Sequence, residues 1–155
     1  MEIQPAKPED AAALTAIAFA AKRYWGYPEQ WLEHWRSVLT ITPGFIGSRE
    51  IYTAVTNDQI IGFYALDRRE TALDLLHLWV LPDWMGQGVG RSLFLHALGR
   101  TKILGFSELK IESDPNAEAF YLRLGARRVG VNYYEIDQHR RELPVLIYEI
   151  NRAIE

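Results

Sequence analysis

A chain of 155 residues, 48% hydrophobic and 24% charged, is long enough for one domain that buries roughly two thirds of the surface its unfolded chain exposes. Seventeen Lys and Arg against 20 Asp and Glu leave a formal charge of −3, and no run of five like charges occurs, which argues against a general binder of nucleic-acid backbone. Cysteine is absent, so disulfides, thiolate metal sites and a cysteine nucleophile are all excluded.

The four histidines, His34, His77, His96 and His139, are far apart and form neither HxxxH nor HExxH, so no metal site is expected. No apolar stretch reaches 18 residues, and Met1-Glu-Ile-Gln-Pro5 lacks the basic start and apolar core of a secretory signal. A cytoplasmic protein with neither membrane nor nucleic acid as partner is the expectation.

In chain order, Ile3 to Pro5 is a short apolar stretch. Pro8, Glu9 and Asp10 then supply acidic starting residues for a helix from Ala11 to Arg23, rich in the strongest helix former. Gly26-Tyr-Pro28 breaks it, and Pro28 opens a second helix in which Trp31, Leu32, Trp35, Val38 and Leu39 recur at helical spacing. Thr42-Pro-Gly44 is read as the end of that region. Ile51–Thr56 and Ile60–Leu66 read as a hairpin around Asn57-Asp58, and Leu73–Leu81 as a further strand.

A helix is expected from Gly90 to about Leu104, with Leu93, Ala97, Leu98 and Thr101 on one face and Gly105 ending it. A short strand follows at Leu109–Ser113. Asp114 as cap and Pro115 as first helical residue predict a helix over Ala117–Leu124 that stops at Gly125. Strands at Arg127–Val131 and Val145–Ile150 complete the chain, the second with Pro144 at its mouth. Helices and strands thus alternate through one α/β (α+β mixed) domain spanning residues 1–155.

The segment Met85-Gly-Gln-Gly-Val-Gly-Arg-Ser92 carries the strongest chemical signal. A phosphate-binding P-loop needs a glycine at the position of Met85 and a lysine at that of Arg91. A dinucleotide fingerprint needs its third glycine at Arg91 or Leu93. Neither motif is met. What stands is G-x-G-x-G running into a helix, so that backbone N–H groups without side-chain cover converge on an anion at the helix N-terminus, a diphosphate fitting best.

Val80-x-Pro82, Gly86-x-Gly88-x-Gly90 opening a helix, and Ala117-x-x-Phe120-Tyr121-x-x-x-Gly125-Ala126 after a strand together resemble the GNAT (GCN5-related) N-acetyltransferases. The resemblance implies a central, mostly antiparallel mixed sheet with helices on both faces and a splay between the strands at Leu73–Leu81 and Leu109–Ser113. It also implies acetyl-CoA as co-substrate, and no metal. Its diphosphate would meet Met85, Gly86, Gln87, Gly88, Val89, Gly90, Arg91 and Ser92, and its pantetheine arm the backbone of Trp79 and Val80. Met85 stands where the family has Gln or Arg. Asp114 stands where it has Asn, which makes Asn116 the candidate cofactor contact.

Amide formation from a thioester needs a neutral amine, stabilisation of an oxyanion and a proton for the leaving thiolate. With no cysteine, direct transfer in a ternary complex is expected. Tyr121, one helical turn before Gly125, matches the family's thiol-facing tyrosine and is the candidate general acid. The candidate bases are Asp74, His77 and Glu112. Alternation puts Asp74 and His77 on opposite faces of their strand, so at most one of them points at the acceptor.

Trp25 and Tyr27, at the Gly26 break, are the candidate acceptor-lining residues, and Arg141 before the last strand is a candidate for an acceptor carboxylate. Trp31 and Trp35 read as helix-face packing. The competing reading is an acyl-CoA sensor of the same fold without catalysis. Strand edges and aromatic content are compatible with a homodimer.

Overall fold

The computed structural model describes residues 1–150. Seven strands are present among them: β1 (Glu2–Pro5), β2 (Glu50–Thr56), β3 (Gln59–Arg68), β4 (Leu73–Val80), β5 (Glu108–Glu112), β6 (Arg127–Ile136) and β7 (His139–Glu149). The helices are α1 (Ala11–Tyr24), α2 (Glu29–His34), α3 (Arg36–Leu39), α4 (Pro43–Ser48), α5 (Val89–Ile103) and α6 (Glu118–Arg123). The strands form one sheet in the order β1-β2-β3-β4-β5-β7-β6. Pairs β1–β2, β2–β3, β5–β7 and β6–β7 are antiparallel and β4–β5 is parallel, the mostly antiparallel mixed sheet expected. No helix among the described residues is long and apolar enough to cross a membrane.

The described residues form two compact units, Met1–Leu66 with His77–His96 and Asp67–Leu76 with residues 97–150. Strand β4 and helix α5 each run from one unit into the other.

In the first unit, Asn57 and Asp58 stand at φ 51 and 62, the pair of left-handed residues that a two-residue hairpin turn needs, so β2 and β3 meet as predicted. Leu14, Ile17, Ala18 and Ala21 recur at helical spacing and are the buried stripe of α1. Successive β3 residues face opposite sides. A Cβ on Gly62 would meet Leu93 of α5, whereas the Phe63 ring lies against His77, whose other neighbour is Phe45 of α4. Helices therefore flank this part of the sheet on both faces.

Two local expectations change here. The single helix read through Trp31 to Leu39 is two, because Trp35 leaves helical geometry at φ −88 and ψ 5 and ends α2 before α3 begins. Thr42-Pro-Gly44, read as an ending, is a start: the Thr42 hydroxyl accepts the Phe45 N–H at 3.0 Å and Pro43 opens α4.

In the second unit the parallel ladder pairs Leu73 with Leu109, Asp74 with Lys110 and Leu75 with Ile111, while β4 runs on to Val80. The last two strands are longer than the sequence indicates. β6 continues to Ile136 and β7 starts at His139, joined by Asp137 and Gln138 at φ 51 and 64. Pro144 is thus inside β7 rather than at its mouth. It lies past the end of β5, and its carbonyl accepts the Ser113 N–H at 2.9 Å.

Candidate functional site

The glycine loop and the end of β4 both belong to the first unit. Gly86 and Gly88 stand at φ 77 and 85, left-handed backbone that side chains with a Cβ rarely adopt, and a Cβ at either would meet nothing within 4 Å. Glycine is therefore required by backbone conformation and leaves the main chain uncovered. Gln87 Nε2 donates to the Asp83 carbonyl at 3.0 Å and braces the loop from within.

Amides of the loop divide into two sets. Met85 N–H is donated to Pro82 O at 3.2 Å and Ser92 N–H to Gly88 O at 3.0 Å. The N–H groups of the first turn of α5, Val89, Gly90 and Arg91, have no carbonyl four residues back within the helix to accept them. This turn holds no acidic residue and carries the exposed cation Arg91, an arrangement the helix dipole disfavours until an anion sits there. Backbone amides and charge at the start of this fifteen-residue helix are the features that an anion suits.

At the end of β4, Leu81 N–H donates to Ile61 O at 2.8 Å, and an ideal Cβ on Gly62 would lie 2.9 Å from the Trp79 carbonyl oxygen. Only glycine lets the two strands approach so closely there. His77, 7% exposed, accepts the Trp79 indole N–H at its Nδ1 at 2.9 Å. Burial pulls its pKa from 6.5 down to about 4, so the ring is neutral at pH 7.

Lys22 of α1 places its Nζ 4.3 Å from the Trp35 ring centroid, 4.9 Å from Tyr27 and 6.0 Å from Trp79. Tyr27 stacks on Trp31 at 6.0 Å and meets Trp35 edge-on at 5.1 Å. Tyr27 thus belongs to an aromatic group around a lysine ammonium. Trp25, the other candidate lining residue, instead meets Tyr24 edge-on at 5.6 Å. Trp31 and Trp35 are half-buried rather than core.

The remaining candidates lie in the second unit. Tyr121 is 6% exposed, and burial, with a smaller contribution from the Asp114 carboxylate, pushes its pKa well above the ordinary phenol value. Asp114 Oδ1 accepts both the backbone N–H and the side-chain NH2 of Asn116, at 2.8 and 2.9 Å. Asn116 is accordingly turned onto its own cap. The Arg141 guanidinium, its side chain 12% exposed, lies 4.0 Å from Asp114 Oδ2.

Asp74 Oδ2 is ion-paired with Arg69 Nε at 2.6 Å, and its Oδ1 is buried without a hydrogen-bond partner. Glu112 is exposed, and its Oε2 accepts from the Tyr134 hydroxyl at 2.6 Å and from Asn132. That bond to Glu112 raises the Tyr134 pKa. Among the described residues no group of three metal-ligating side chains occurs.

Sequence reading passes over Lys22, Gly62, Asn132 and Tyr134. Only Gly62 carries a signal, an isolated glycine inside an apolar strand, which marks a bulge or a close backbone approach.

Comparison with known proteins bears on the family and the fold. The model of a family described as acetyltransferase (GNAT) domain matches residues 27–136. The chain is 31% identical over 103 residues to the peptidyl-lysine N-acetyltransferase YjaB of Salmonella typhimurium, a match covering 66% of this chain and 66% of that protein. A GCN5-related N-acetyltransferase of Rhodopseudomonas palustris superposes with a TM-score of 0.79 at 22% identity, over 96% of this chain and 94% of that one. The PaiA N-acetyltransferase of Thermoplasma acidophilum, solved in complex with coenzyme A, gives 0.75 at 21%, over 96% and 98%. At these identities the structural likenesses show the fold.

Proposed function

Because the chain belongs to the GNAT acetyltransferase family, we propose that it transfers an acetyl group from acetyl-CoA to a primary amine of a small molecule or peptide, directly and within a ternary complex, as a single acetyltransferase domain. The observation that carries this reading is the glycine loop. Its two left-handed glycines expose main chain in front of the N-terminus of a long helix that carries a cation in its first turn. A diphosphate is the anion such a loop suits. Bound acetyl-CoA would supply an activated acetyl thioester, held at the amides of Gly86 through Arg91 and along the backbone of Trp79 and Val80.

Tyr121 is the proposed general acid. Its raised pKa means that the phenol reaches the step still carrying the proton the leaving thiolate needs. Of the three candidate bases, Glu112 is the one we favour as proton acceptor. Asp74 is ion-paired with Arg69 through one oxygen and buries the other, and the Nδ1 lone pair of His77 is committed to Trp79, whereas the bonds from Asn132 and Tyr134 both fall on Oε2 of an exposed Glu112 and leave Oε1 to take a proton. Tyr27, with its neighbours around Lys22, is proposed to border the acceptor, and an amine on an apolar or aromatic body suits such rings.

The test is release of CoA thiol from acetyl-CoA across a panel of amines that includes lysine side chains in peptides, since one relative is named for that acceptor. With no cysteine in the chain, protein thiol contributes no background. Turnover with at least one amine is expected. Heat protection by acetyl-CoA without turnover on any amine would replace this reading with the sensor.

A further inference from the structure

His77 and Trp79 are two residues apart on one strand, so their side chains rise from the same face, and the indole N–H of Trp79 points at His77 Nδ1 at 2.9 Å. An indole nitrogen can only donate. Nδ1 is therefore the acceptor, and the proton of the neutral imidazole is on Nε2. A ring in that tautomer has no lone pair left with which to take a proton from an amine. Phe45 and Phe63, with ring centroids 5.8 and 5.9 Å from that of His77, enclose the ring.

Trp79 is held from other directions too. Lys22 Nζ lies 6.0 Å from its ring centroid, and its carbonyl oxygen lies where Gly62 alone leaves room. The side chain and the backbone of Trp79 are thus both constrained, at the strand end assigned above to the pantetheine arm.

We propose that His77 is a positioning residue: by accepting the Trp79 indole N–H it fixes the end of β4 for acetyl-CoA, and it is not the proton acceptor of the transfer. The proposal rests on the acetyl-CoA reading of the preceding subsection. A neutral His77 at working pH agrees with it.

Calorimetric titration of acetyl-CoA into the full chain tests this without knowledge of the acceptor. His77→Leu removes the acceptor atom, Trp79→Phe removes the donor, and His77→Asn puts an amide oxygen near the place of Nδ1. His77→Leu and Trp79→Phe should each weaken binding by about fivefold, the worth of one ordinary hydrogen bond, and the double variant should be no weaker than Trp79→Phe alone. His77→Asn should bind within about twofold of the wild type and, with any amine the panel finds, keep its kcat.

Additive losses in the double variant would overturn the coupling through Trp79. An Asn variant that keeps acetyl-CoA affinity but loses kcat would overturn it from the other side, by making His77 the proton carrier. A wild type that binds no acetyl-CoA would remove the functional reading itself, an outcome that the wild-type titration alone reveals.

Discussion

Tyr121 and Asp114 show how a single environment serves two purposes. Burial and the neighbouring carboxylate both disfavour the phenolate, so the Tyr121 proton stays in place far into the alkaline range. The same carboxylate ties down Asn116 and lies near Arg141. If Tyr121 is the general acid, Tyr121→Phe lowers kcat by about a hundredfold or more and leaves the KM for acetyl-CoA within about twofold, because only the proton donor is removed. Steady-state kinetics on the best amine checks this, and an unchanged kcat would strip Tyr121 of the role.

At the scale of elements, the loop depends on how β3, β4 and α5 approach one another. Gly62 is the point of contact: a Cβ there would lie 2.9 Å from the Trp79 carbonyl oxygen and 3.1 Å from Leu93 Cδ1. Backbone cannot yield as a flexible side chain can, so Gly62→Ala must displace the strand end or the helix that follows the loop. We expect a loss of about 1–3 kcal/mol in stability, the usual cost of overpacking. Acetyl-CoA affinity should fall along with it. Urea unfolding and titration of acetyl-CoA on the same preparation measure both. A variant as stable as the wild type with unaltered affinity would show that the close approach is not needed.

On the scale of the whole molecule, the absence of cysteine shapes the kinetics. An acetyl group cannot rest on a protein thiol, so both substrates should be present together and initial-rate lines should intersect. Parallel lines over a range of acetyl-CoA and amine concentrations would mean that some other side chain carries the acetyl group.

Residues that act through local rules are legible in the amino-acid sequence alone. Gly86 and Gly88 leave backbone without side-chain cover, Asn57-Asp58 turns the hairpin, Asp114 caps the turn before α6, and the buried stripe of α1 falls at helical spacing. The end of β6 is not legible in this way. Its residues are mostly exposed and polar, so no alternation marks them as strand, and they are ordered by pairing with β7. Trp35 reads as one more turn of a helix, since nothing in its neighbours predicts the break.

The candidate bases illustrate the same division. All three are visible as residue types on strands, but a carboxylate or imidazole is available only if its partners leave it so. Arg69, Trp79, Asn132 and Tyr134 are those partners, at separations that sequence order does not reveal. By itself the amino-acid sequence determined the family, the glycine loop and the absence of a thiol, because these depend on residue identity and short spacing. The tertiary structure alone decided which side chains are already spent, because hydrogen bonds and ion pairs form between atoms close in space, whatever their distance along the chain.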